Sequence, residues 1–345
     1  MFSNRRVLLG ILVLLVGLLA FNYVSPFRVV TTSQAQETDY DYEEIIEHTF
    51  KVQPGQALIL DSDLGSVSVH GGSGNEVVLT VIKGANDMSE RKAKELFERF
   101  DLDFDQSSRG VLIEGDYEGR RRGRHGNRLH VEFEITVPTE FDVDVKTGGG
   151  SVTAEELRGE ASLRTSGGSI TALSIDGPLD VNTSGGSIKV EDIGGQARLH
   201  TSGGSITARN VDGWVDCNTS GGSITIDGAD GNVKAHTSGG SIRLTEIHGT
   251  ANAHTSGGSI KADLATAPDG PMELETSGGS VTLYLTANTS VDIDARASGG
   301  RVRTDMPVEV EGEIKRDRLR GEINGGGPMI KLRSSGGGIR ILEHE

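Results

Sequence analysis

The chain has 345 residues with 50 Asp or Glu against 34 Lys or Arg, a formal net charge of −16, and 49 glycines. Aromatic residues are only 4%, too few for one thick globular core, and the acidic balance removes the electrostatic footprint of a nucleic-acid-binding protein. A single cysteine, Cys217, closes no intramolecular disulfide and builds no cysteine zinc site, so stability has to come from thin packed layers joined by tight turns.

At the start, Arg5 and Arg6 precede an unbroken apolar or glycine run over residues 7–21. The pattern predicts a signal peptide or signal anchor over residues 1–24, because the run is short of the ~20 residues of a comfortable membrane span. A small-x-small site at Ser33-Gln34-Ala35 lies far beyond the apolar core, and cleavage and retention as an anchor both stay open. In either case the two arginines hold the start on the cytoplasmic side and place the rest of the chain outside that membrane. The protein is therefore expected to be exported, periplasmic or at the cell surface, with residues 25–42 as a linker.

Residues 43–140 read as a β-rich capping segment. Strand-like runs at 57–60, 66–69, 77–82, 111–114 and 129–137 cluster or alternate apolar residues between turn signals. One helix is predicted over 89–100, with Ala93, Leu96, Phe97 and Phe100 along one side. Between the last two strands lies G-R-R-R-G-R-H-G-N-R, in which Arg120, Arg121, Arg122, Arg124 and Arg128 concentrate positive charge without an acidic residue. Such a loop could grip phosphate, lipid headgroups or acidic polysaccharide through bidentate guanidinium contacts. The plainer alternative is a solvated hairpin tip.

From Asp142 onward one word, T-S-G-G-S-I, returns at Thr165, Thr183, Thr201, Thr219, Thr237 and Thr255, always eighteen residues apart, with the variant T-G-G-G-S-V at Thr147. Copies begin again at Thr276 and, degraded, at Ala297 and Ser334, after insertions. A fixed period of this length predicts a solenoid. Counting the motif threonine as place one, the sixth place is Ile or Val and the eighth Ala, Val, Ile or Leu, while the seventh is Thr, Lys or Arg. This alternation marks a strand with one buried face, and the apolar fifteenth and seventeenth places mark a second. Glycine at the motif and at place thirteen is expected to supply positive φ and close stacking at the corners.

Recurrence of like residues one coil apart predicts parallel, in-register stacking at ~4.8 Å per coil. Each buried Val, Leu or Ile contributes roughly 1.5–3 kcal/mol, so several coils must stack before burial offsets their ordering entropy. A calcium β-roll is excluded by the lack of aspartate in T-S-G-G-S-I, and a left-handed hexapeptide helix by the serine at place five. Right-handed winding is favoured for parallel crossovers. The fold class is thus all-β, a parallel β-solenoid or single-chain β-helix over 141–345. The charged stretch between Ala297 and Ser334 is expected to form its C-terminal cap.

Val137-Pro138 before the first coil, the T-S-G-G-S-I words and the closing I-N-G-G-G-P-M-I-K-L-R-S-S-G-G-G-I-R-I together resemble the bacterial putative-adhesin family, over roughly residues 45–345. The resemblance implies an exported β-solenoid protein. It implies no catalytic residues, because the family is largely of unknown function and fold alone supplies no chemistry.

Among outward places, the sixteenth reads Asp144, Ser162, Asp180, Arg198, Asp216, Lys234, Asn252, a sign-alternating ladder in which Arg198 can pair with Asp180 or Asp216. That ladder argues against a pair of catalytic carboxylates. The eighteenth reads Arg164, Asn182, His200, Asn218, His236, His254. Stacked His236 and His254 are weak candidates for zinc or copper, with no carboxylate completing the set at that spacing. Asp176, Asp192, Asp212, Asp227 and Asp230 could recruit calcium at a corner or serve as ordinary turn residues. Cys217 reads as a small buried apolar residue, and Trp214 as a corner shield or sugar platform. No catalytic residue and no cofactor is expected. The leading reading is a non-enzymatic envelope protein presenting a repetitive surface for adhesion, scaffolding or sensing, with anionic polymer, polysaccharide or lipid headgroups as partners. The alternatives are a carbohydrate-active β-helix enzyme on acidic polysaccharide and an envelope-stress sensor that binds anionic lipid or cell-wall polymer through the arginine loop.

Overall fold

Alternation decides the local structure of each period. In the coil opened by Thr183, Ile188, Val190 and Ile193 are buried, while Lys189, Glu191 and Asp192 between them reach solvent fully or in part. The computed structural model describes residues 28–30, 40–118, 129–310 and 315–344, and it repeats this unit along the chain. Strands ending on the motif threonine stack into one sheet (the Thr sheet) and strands starting on the motif isoleucine into another (the Ile sheet), fifteen strands in each among the described residues. In the repeats, neighbours are parallel and in register: Ile188 pairs with Ile206 and Ile206 with Ile224, all three essentially inaccessible. The protein is a parallel β-solenoid.

The corner motif has a physical account letter by letter. Thr219 is buried; its Oγ1 donates to the Gly204 carbonyl of the preceding coil at 2.8 Å and accepts from the Gly222 N–H of its own at 3.3 Å. Thr165, Thr183, Thr201, Thr237 and Thr255 repeat the first of these bonds to their own predecessors. The second serine forms a ladder, with Ser205 N–H donating to Ser187 Oγ at 3.2 Å and Ser223 N–H to Ser205 Oγ at 3.2 Å. Thr219→Val keeps the shape and removes the staple, so it should destabilise by ~1–3 kcal/mol in urea unfolding, with Thr219→Ser much milder.

Of the two roles expected of the corner glycines, close stacking is seen and positive φ mostly is not. Within the repeats, positive φ falls mainly on non-glycine residues at place ten: Glu156 (59°), Ser174 (55°), Asp192 (58°), Asn210 (51°) and Glu246 (52°). The place-thirteen glycines are there for room, since a Cβ on Gly177 would lie 2.1 Å from the Gly159 carbonyl oxygen. Close backbone stacking at the corners selects glycine, whatever the torsion.

At both ends the rungs are laid down out of chain order. Ala57–Ser62 and Ser66–Gly72 form a rung directly against the first motif coil, and the later strands Gly110–Tyr117 and Leu129–Pro138 lie outside it. At the far end, Met329–Ser334 and Ile339–Glu343 insert between the rung of Met272–Thr276 and Val281–Leu285 and the rung of Val291–Ala297 and Val302–Thr304. The closing phrase is therefore clamped on both sides. Antiparallel strands, Phe100–Ser107 at one end and Arg318–Ile323 at the other, cover the parallel edges of the Thr sheet, which limits edge-to-edge association.

The helix is shorter than its sequence pattern predicts. It spans Glu90–Phe97, and Phe100 already opens a strand, where it is buried with its ring edge-on to that of Phe133, 6.4 Å between centroids. Arg28–Val30, within the stretch read as a linker, pairs antiparallel with Tyr42–Lys51. Among the described residues no helix is long and apolar enough to cross a membrane; the apolar run over 7–21 lies outside them.

Candidate functional site

Strand parity puts places fourteen, sixteen and eighteen of the Thr sheet on its outer face, where stacking converts each place into a column. In the sixteenth-place column the expected partners are rearranged. Arg164 reaches across from the eighteenth place to Asp144 at 3.0 Å and Asp180 at 3.3 Å, while Arg198 lies over the Trp214 ring at 5.5 Å from its centroid. Both aspartates are thus engaged by a guanidinium, and one face of Trp214 is covered. Cys217 is buried between Leu199 and Ala235 on the inner face, and burial pushes its thiol pKa far up.

The eighteenth-place column is longer than the periodic count reveals. From its N-terminal end it carries Asp103, Glu114 and Asp61, meets Lys146, whose Nζ lies 2.8 Å from Asp61, and runs on through Arg164, Asn182, His200 and Asn218 to His236 and His254. Beyond His254 it continues through Glu275 to Arg333, Arg296 and Arg318. Glu275 Oε2 lies 3.4 Å from His254 Nδ1, the carboxylate that the eighteen-residue spacing misses because three inserted residues precede it. The His236 and His254 rings stack at 5.2 Å with 4° between planes. Parallel rings keep their nitrogens in separate planes instead of converging on one point, and among the described residues no group of three His, Cys, Asp or Glu is placed to hold a metal ion.

At the column's C-terminal end Asp294 is set among cations. It is 16% exposed, with Arg333 Nη2 at 2.9 Å and Arg296 Nε at 3.3 Å. Burial pushes its pKa up, but the Arg333 hydrogen bond and the charges of Arg333, Arg296 and Arg318 outweigh it and hold the carboxyl below its ordinary value. A carboxylate depressed in the folded state stabilises above the unfolded pKa, and that contribution is lost as pH falls through the folded one. Asp294→Asn should therefore flatten the loss of Tm on acidification below the ordinary carboxylate pKa of ~3.9.

The opposite corner carries a shallow open groove of ≈ 530 Å³ lined by Glu156, Asp176, Asp192, Asn210, Asp212 and Arg158 among others. Its acids are partly engaged: Asn210 Nδ2 donates to Asp192 Oδ1 at 2.8 Å, and Arg158 lies 4.0 Å from Asp176. Arg120, Arg121, Arg122, Arg124 and Arg128 fall outside the described residues. Their described flanks, Gly110–Tyr117 and Leu129–Pro138, are the two strands of the last parallel rung at the N-terminal end, with antiparallel strands beyond it in both sheets.

The family model that matches this architecture is Toastrack DUF4097, over residues 55–342. The chain belongs to the Toastrack family. That span takes in the out-of-order rungs at both ends as well as the eighteen-residue coils. No curated protein matches the chain. Among solved structures, a putative cell adhesion protein from Clostridium sporogenes is 15% identical, covering 86% of this chain and 99% of its own, with a TM-score of 0.26. A putative adhesin from Bacteroides fragilis is 14% identical over 87% and 97%, with a TM-score of 0.36. A putative lipid binding protein from Parabacteroides distasonis is 11% identical over 87% and 97%, with a TM-score of 0.37. Toastrack membership settles the architecture, and chemistry has to be read from the columns themselves.

Proposed function

We propose that this Toastrack protein is a non-enzymatic, exported envelope protein whose stiff sheet face makes many weak, equivalent contacts with an anionic envelope polymer or surface, in adhesion, scaffolding or sensing. Export is inferred from the Arg5-Arg6 and apolar start. The supporting observation is the in-register stacking, which repeats each outward place at one-strand intervals of ~4.8 Å. Such an array suits a repeating partner, because linked weak contacts combine into avidity that no single one has.

The arginine loop over 119–128 is proposed as one anchoring element. The test is binding of the full chain to isolated cell walls and to anionic vesicles, beside a variant with Arg120, Arg121, Arg122 and Arg124 replaced by serine. Weaker binding by the variant supports the role of the loop; equal binding removes it. Release of unsaturated or reducing ends from a polyuronate by the purified protein would overturn the non-enzymatic reading.

A further inference from the structure

From Lys146 onward the charged members of the eighteenth-place column are mostly cations, Lys146 and Arg164 towards one end and Arg333, Arg296 and Arg318 at the other. Asn182, His200, Asn218, His236 and His254 lie between them, and the acidic Asp61, Glu114 and Asp103 lie beyond Lys146. From Lys146 to Arg318 the column crosses adjacent strands of the Thr sheet with Glu275 as its sole carboxylate, on a chain of net charge −16. Every member is at least partly exposed. The neighbouring sixteenth place behaves differently, mixing Asp144, Asp180 and Asp216 with Arg198 and Lys234 so that its charges offset one another.

At the C-terminal end the contrast is sharpest. Arg333, Arg296 and Arg318 sit side by side on three neighbouring strands. Like charges placed opposite each other on a sheet are destabilising, and Asp294 is the carboxylate that approaches both Arg333 and Arg296. The row keeps an excess of positive charge that an external anion would neutralise.

We infer that this column is a docking track for a linear acidic polysaccharide, a polyuronate with one carboxylate per sugar, laid along the solenoid axis. The inference rests on the envelope-polymer reading above and gives it a site. Three features favour this occupant. The step between strands, ~4.8 Å, is close to the length of one sugar ring in an extended chain. Guanidinium and ammonium groups meet carboxylates, while Asn182, Asn218 and the stacked imidazoles of His236 and His254 offer donors and flat faces to hydroxyls and rings. Finally, the stripe is one side chain wide and flanked by aspartates, so a single strand of polymer can follow it, whereas a flat anionic membrane would meet both columns at once.

The test titrates the full-length protein with polygalacturonate, neutral dextran, phosphatidylglycerol vesicles and isolated cell walls. Two double variants of exposed side chains are compared: Arg296→Ser with Arg318→Ser on the track, and Lys234→Ser with Lys331→Ser beside it. The expected result is salt-sensitive binding of polygalacturonate but not dextran, weakened about tenfold in the track variant and less than about twofold in the flanking one. Equal weakening in both variants, or none, would overturn the track, as would binding of vesicles without polygalacturonate. Binding to cell walls with no affinity for polygalacturonate would sink the track and leave the broader reading standing. Failure to bind any anionic probe would sink both.

Discussion

Gly204→Ala is expected to destabilise the protein by more than ~4 kcal/mol, enough to prevent cooperative folding at moderate temperature. A Cβ there would lie 2.1 Å from the Gly186 carbonyl oxygen and 2.4 Å from its carbon. Both are backbone atoms of the preceding coil, so no side chain can swing aside. The alternative is to pry two coils apart, breaking the Thr201 staple onto Gly186 and the sheet bonds between them. Gly149→Ala provides the control at another position of the same corner motif, because its Cβ would meet nothing within 4 Å. That variant should stay within ~0.5 kcal/mol of the parent. Urea midpoints for the pair decide the matter: equal shifts would mean that close stacking does not explain the glycine corners.

The second large effect lies in the capping segment. Lys83 is 6% exposed, and its ammonium donates to the carbonyls of Phe97 at 3.3 Å and Phe100 at 3.0 Å, with Glu44 Oε1 at 3.9 Å. It satisfies backbone acceptors just where the short helix ends and the next strand begins. Lys83→Met preserves the stem and strands those acceptors, together with a largely buried carboxylate. A loss of about 2–4 kcal/mol is expected, measurable by denaturant unfolding. Hydrogen exchange should quicken first in the Glu90–Phe97 helix. Exchange that quickens evenly through the solenoid instead would show that Lys83 does not act as a local cap.

Much of this fold is legible in the sequence because its contacts repeat. Ile188, Ile206 and Ile224 occupy the same place of three successive periods, and residues one period apart become lateral neighbours, so the core rows are read directly from periodicity. The ends are another matter. The rung nearest the first motif coil comes from Ser62-Asp63-Leu64-Gly65-Ser66-Val67, in register with the word at Thr147, yet it has lost all but one of that word's glycines. The order of rungs along the axis depends on which sheet edge each strand meets, a non-local choice that no spacing encodes.

Candidate-site residues divide in the same way. His236 above His254 is visible in the period, but Glu275 is hidden because Thr276 comes 21 residues after Thr255 rather than eighteen. The arginine row is hidden more deeply, since Arg333 sits between Glu275 and Arg296 only through the inserted rung. Lys83 left a readable trace: strand parity sets it on the inner side with Val77, Leu79 and Val81, a clear signal that a buried cation needs acceptors.

Removal of residues 202–237 offers the most direct test, because it joins Thr201 to Ser238 and deletes two whole periods while restoring the corner word. Small-angle scattering on the parent and the shortened chain should give an unchanged cross-section and a long axis shorter by ~10 Å, the thickness of two stacked strands. An unchanged long axis, or a chain that no longer folds, would contradict in-register stacking of interchangeable eighteen-residue coils.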